Sequence, residues 1–157
     1  ITDRMSRIFD YILIDCPAGI GTGFHRAVSA ADEAIVVLTP TLTSVRDAKK
    51  TVDLLESYDL MSVSTVVNRL RGDLVTSGEM MDAFEIFAML DAEPLGIIPD
   101  DDFLSFRLPS DGRGTLSDTA FEIIATNLHE GKDDMYDCVS RYTGFFGNIR
   151  RKIKRRA

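Results

Sequence analysis

Four short apolar runs, YILID (11–15), AIVVLT (34–39), STVVN (64–68) and LGIIP (95–99), constrain the fold more than any other feature of this 157-residue chain. None alternates polar with apolar residues, so each reads as a strand covered on both faces. Helical patterns follow them at 22–31, 44–57, 78–90 and 115–129. Parallel strands can be joined only by crossing a sheet face, which is the work of the intervening helices. The predicted fold is a three-layer α/β domain with a mostly parallel sheet.

Local signals fit this reading. SVRD sets Ser44 three residues before Asp47, and TLSD sets Thr115 before Asp118, both capping-box-like spacings. Gly131 is a helix stop. Val45, Ala48, Val52 and Leu55 form one apolar stripe, and Met80, Phe84, Phe87 and Leu90 form another. Both stripes are predicted core.

The net charge of −7 is unevenly distributed. The last ten residues, NIRRKIKRRA, hold six of the 18 Lys and Arg, leaving 12 basic against 25 acidic residues and a body charge of −13. Such a body repels polyanions, so attraction to one must come from the tail. Cys16 and Cys138 make neither a metal pair nor a disulfide framework, which suits a reducing cytosol, and His25 and His129 are read as structural. With no apolar run of about 18 residues and no signal peptide, a cytoplasmic location is expected. A chain starting at Ile1 and reaching a strand by residue 11 reads as the later part of a longer protein. Residues 1–131 read as the α/β domain and 132–157 as linker and basic tail.

The first strand runs into CPAGIGTGF. A nucleotide phosphate loop needs a Lys and a Ser/Thr after its last glycine, and a dinucleotide fingerprint needs G-x-G-x-x-G; this loop meets neither pattern. Asp15 is more informative. A carboxylate at the carboxyl end of a parallel strand lies where open α/β sheets bind ligands, and there it can hold the water shell of Mg²⁺ beside a triphosphate. Capping the following turn is the alternative role. Asp100, Asp101 and Asp102 pose a similar choice between a metal and a solvated turn.

YILIDCPAGIGTGF resembles the Walker B strand and switch segment of the ParA/MinD family of deviant P-loop ATPases. The likeness continues in the family's order through ADEAIVVLTPTLTSVRDAKK, VVNRLRGDLVTSGEMM and PLGIIPDDD to the basic C-terminus. It omits the family's phosphate-binding loop, which lies on an earlier strand. The resemblance implies an ATPase with ATP and Mg²⁺ as cofactors, in which Asp15 is the catalytic Walker B carboxylate contacting the metal through water. Pro17, Ala18 and Gly19 fall in the switch that senses the γ-phosphate, while Asn68, Arg69, Pro99 and Asp100 frame the adenine. Ser44, Arg46 and Asp47 fall at the ATP-dependent homodimer interface, where the family's activator MinE and the division inhibitor MinC dock. The implied function is placement of the bacterial division site by ATP-dependent dimerisation and reversible membrane binding, with hydrolysis driving release. Alternatives are a flagellar-placement or partition relative, and a non-catalytic membrane- or partner-binding module. Without the phosphate loop the chain supplies half a site and is expected to be inactive alone. Its sheet is also expected to carry an exposed edge.

In the tail, Phe145, Ile149 and Ile153 recur every four residues with Phe146 beside them, while Arg150, Arg151, Lys152, Lys154, Arg155 and Arg156 fill the rest. A helix so patterned suits an anionic membrane surface, here the inner face of the cell membrane. The competing readings are a nucleic-acid-binding or simply solvated tail, but neither explains two phenylalanines and two isoleucines, and no specific nucleic acid is expected. Each buried apolar side chain contributes roughly 1.5–3 kcal/mol, and each cation at an anionic leaflet about 1 kcal/mol. Ordering a residue costs about 1–2 kcal/mol, so one tail is marginal and two on a dimer gain by effective concentration.

Overall fold

The computed structural model describes residues 2–17, 19–101, 115–144 and 147. The elements run α1 (Thr2–Met5), α2 (Thr22–Val28), β1 (Glu33–Leu38), α3 (Leu42–Leu55), β2 (Ser62–Leu70), α4 (Gly72–Thr76), α5 (Ala83–Leu90), β3 (Glu93–Pro99) and α6 (Leu116–Glu130), followed by a 3₁₀ turn at Ser140–Tyr142. The three strands form one parallel sheet in the order β1-β2-β3. It is the predicted three-layer α/β arrangement, because successive β2 residues serve opposite faces. Val67 packs with Leu38, Val45, Ile86, Leu90 and Ile97 beneath α3 and α5. Val66 packs with Leu95, Ile98 and Ala120 beneath α6. Each fully buried Val, Leu or Ile contributes roughly 1.5–3 kcal/mol, so these faces hold the sheet together.

Capping chemistry sets the helix ends. At α6, Thr115 and Asp118 form the expected reciprocal box, and Gly131 closes the helix at φ +66°, where a side chain would be strained. At α3 the start differs from the sequence expectation. The cap is Thr41, whose hydroxyl accepts from the Ser44 amide at 3.3 Å, while Ser44 Oγ accepts from Thr39 N at 3.1 Å. The Val45, Ala48, Val52 and Leu55 stripe is buried as predicted. An Asp82–Glu85 capping box begins α5 five residues later than the pattern suggested and turns Ala83, Ile86, Phe87 and Leu90 inward. Phe84 is consequently 61% exposed.

The largest departure concerns Tyr11–Asp15, which forms no strand. Residues 11–17 have no regular secondary structure, and Leu13 is 84% exposed. A strand needs a partner for its amides and carbonyls, and this run pairs with none of β1–β3. Instead Tyr11 Oη hydrogen-bonds His129 Nδ1 at 2.7 Å near the end of α6. Val37 and Ile35, on the edge strand β1, are 58% and 40% exposed, so one face of that strand is left uncovered. Among the described residues no helix is long and apolar enough to cross a membrane.

Candidate functional site

The carboxyl ends of β2 and β3 meet at one rim of the sheet, the edge at which open α/β folds bind ligands. The bulge between Val67 and Leu70 puts Arg69 at φ +62°, a conformation that side-chain-bearing residues rarely adopt. That turn lets Arg69 Nε donate to Asp100 Oδ1 at 3.1 Å, while the Asp100 amide donates to the Leu70 carbonyl at 3.0 Å. Asn68 is half-buried beside them and Pro99 is buried. The structure thus brings together the four residues the resemblance assigned to the base. With the Arg69 side chain 69% exposed, the Arg69–Asp100 pair adds little stability.

A second layer supports the rim. Arg71 Nη2 pairs with Asp73 Oδ2 at 2.7 Å and Arg71 Nε with Oδ1 at 3.1 Å; Asp73 is only 2% exposed, so two parallel charge-assisted bonds offset its desolvation. Residues after α6 then fold back onto this layer. Asn127 Nδ2 donates to the Leu95 carbonyl at 3.0 Å and the Asp134 carbonyl at 2.7 Å, tying α6, β3 and the returning chain. Cys138 is buried, and burial pushes its thiol up to about 12. Asp137 accepts from Ser140 Oγ and from the Val139 and Ser140 amides, which hold its carboxyl below the usual range. The sequence offered no signal for Asn127, Asp73 or Cys138; Asp137 before Ser140 follows a familiar turn pattern.

The other predicted residues lie elsewhere. Asp15 and Pro17 are exposed on the unpaired 11–17 segment, and Gly19 is exposed at φ +85°. Ala18 and Asp102 lie outside the described residues, as do Phe145, Phe146, Ile149, Arg150, Arg151, Lys152, Ile153 and Lys154. Arg46 and Asp47 are exposed in the first turns of α3, and Asp47 pairs with Lys50 at 3.2 Å. No cluster of three or more His, Cys, Asp or Glu side chains suited to a metal occurs among the described residues.

A parallel sheet sandwiched by helices, with polar groups gathered at its carboxyl rim, is the architecture of the P-loop ATPases, present here in part. No family model matches the chain, but individual proteins do. It is 36% identical over 160 residues to the septum site-determining protein MinD of Synechocystis, covering 98% of this chain and 60% of that protein. It is 46% identical over 103 residues to MinD of Bacillus subtilis, covering 65% of this chain and 38% of that one. Among solved structures, the MinC:MinD cell division complex of Aquifex aeolicus superposes with a TM-score of 0.75 at 35% identity, covering 84% of this chain and 56% of that one. The chain is MinD-like and resembles the C-terminal part of these septum site-determining proteins. It spans about half the length of the curated relatives it matches.

Proposed function

We propose that this chain is the base-side part of a MinD-type ATPase that positions the division site by ATP-dependent dimerisation and reversible membrane attachment. The likeness to MinD along 98% of the chain carries this reading. A MinD of Pyrococcus horikoshii complexed with Mg-ADP shares the fold at 23% identity and a TM-score of 0.63.

The fit of a nucleotide to these residues is uneven. At the base side it is good: the Asn68 amide offers both a donor and an acceptor, and Asp100 a fixed acceptor, to the edge of a purine. At the metal side the described residues offer only Asp15, on an exposed segment, and no ligand cluster, so they do not by themselves fit Mg²⁺. A bound triphosphate supplies the high-energy bond whose cleavage relaxes a dimer. The part of this chain is to hold the base, with Arg69 keeping the Asp100 carboxylate turned toward it. Ser44, Arg46 and Asp47 on α3 form the surface for a second protomer and for MinC- and MinE-like partners. A MinC partner draws support from the Aquifex complex.

The tail delivers the dimer to anionic lipid at the inner face of the cell membrane. Co-sedimentation of the chain, and of a version ending at Tyr142, with anionic and neutral liposomes over a salt series tests this. Binding that requires both tail and anionic lipid, and weakens with salt, is the expected result. If covalent dimers of the full chain stay in the supernatant, the membrane reading is wrong.

A further inference from the structure

At the end of the sheet opposite the nucleotide rim, a groove of about 660 Å³ opens between the last turns of α3 and α5 and the starts of β2 and β3. Its exposed apolar lining includes Met61, Ala88 and Pro94, and its carboxylates are Glu56, Asp91 and Glu93. The neighbouring cation, Lys49, is held by Asp53 at 2.9 Å and by the Leu90 carbonyl at 3.1 Å. Asp53, Asp91 and Glu56 together raise its pKa, which places these carboxylates in one negative field. The groove therefore combines an apolar floor with an acidic rim. It lies at the far end of α3 from Ser44, Arg46 and Asp47; a 14-residue helix is about 21 Å long.

One segment of this chain has the complementary chemistry: residues 145–157, with apolar side chains every fourth position among six cations. Distance selects whose segment it is. Gly147 is packed against Tyr142, and the Ser140–Tyr142 turn rests on α4, at the carboxyl end of β2. The groove begins at Ser62 and Val63, the other end of this nine-residue strand, about 27–30 Å away. Ile149 and Ile153 follow Gly147 by two and six residues, which even fully extended reach only about 7 and 21 Å. The tail cannot seat its own apolar residues in its own groove.

We infer that the groove receives the basic tail of a second copy of this chain. Such a contact either closes on a pair by mutual exchange of tails or propagates from copy to copy. It also sets a competition: a tail held in a neighbour's groove is withheld from lipid, and anionic lipid releases it.

Sedimentation velocity of the intact chain in about 50 mM and about 300 mM salt tests the inference, because exposed charge contacts are screened over this range. The intact chain is expected to self-associate at low salt, and the version ending at Tyr142 to stay monomeric. Glu56→Lys with Glu93→Lys, both exposed positions, is expected to weaken association at least tenfold, in line with loss of close charge pairs. Adding Arg151→Glu and Lys152→Glu to that variant should restore it. The groove variant should still bind anionic liposomes, which reads this proposal apart from the membrane reading. A monomeric intact chain, or tail-dependent association unchanged by the groove variant, overturns the inference.

Discussion

Replacing Gly72 by alanine is expected to cost far more than its single methyl suggests. A Cβ at Gly72 falls 1.8 Å from the Cys138 carbonyl oxygen, 2.7 Å from its carbonyl carbon and 3.0 Å from Tyr142 Cδ2. The nearest obstacle is backbone, so no rotamer change relieves the clash, and α4 must part from the returning chain. Overpacking costs about 1–3 kcal/mol in general, and a backbone obstacle places this case near 2–3 kcal/mol. In a chain of 157 residues each kcal/mol moves Tm by about 2–4 °C, giving a fall of roughly 4–12 °C. Gly21→Ser is the matched control. Position 21 has no atom within 4 Å of an added Cβ and is the N-cap of α2, where serine is at least as good as glycine. Paired thermal melts by circular dichroism, with urea titrations for the free energies, make the comparison. Equal Tm values for the two variants would refute the packing of the 138–142 segment on α4.

Two further expectations follow from burial. Leu90→Ala, at a fully buried position, should cost about 2–5 kcal/mol, whereas Leu13→Asn on the exposed segment should stay within about 0.5 kcal/mol; urea unfolding separates them, and a large loss at Leu13 would mean that the segment is buried after all. Burial raises the Cys138 thiol from 9.0 to about 12, so its neutral form stabilises the fold fully below pH 9, and that contribution is lost as pH climbs toward about 12. Alkylation at pH 8.5 should accordingly label exposed Cys16 quickly and Cys138 only on unfolding, and rapid labelling of both would contradict its burial.

The three strands at 33–38, 62–70 and 93–99 were legible from their short runs of Val, Ile and Leu, although only β3 is buried along most of its length and β1 leaves Ile35 and Val37 exposed. Tyr11–Asp15 carries the same run without becoming a strand. Apolar pattern encodes burial, whereas a strand also needs a hydrogen-bonding neighbour, and that is a property of the whole sheet. Helix α5 was misplaced at its start for a related reason: the stripe could be drawn from Met80, but the Asp82–Glu85 box decides where the first turn begins. The short α4 gave no periodic signal at all, being five residues long. At the rim, Asn68, Arg69, Pro99 and Asp100 were assigned to the base by the family resemblance alone, although Asn68 and Pro99 also end predicted strands. The link between Arg69 and Asp100 was not legible, since it depends on the bulge in β2 and the left-handed turn that follows.

In the reading proposed above, Asn68, Arg69, Pro99 and Asp100 form the base-binding rim of a MinD-type nucleotide site. Titrating the ¹⁵N-labelled chain with ATP and, separately, with inorganic triphosphate while following backbone amide shifts addresses it directly. Shifts are expected at the Asn68, Arg69 and Asp100 amides with ATP but not with triphosphate, with an affinity no better than about millimolar, roughly −4 kcal/mol. Shifts confined to other regions, the same shifts with triphosphate alone, or micromolar binding would contradict it.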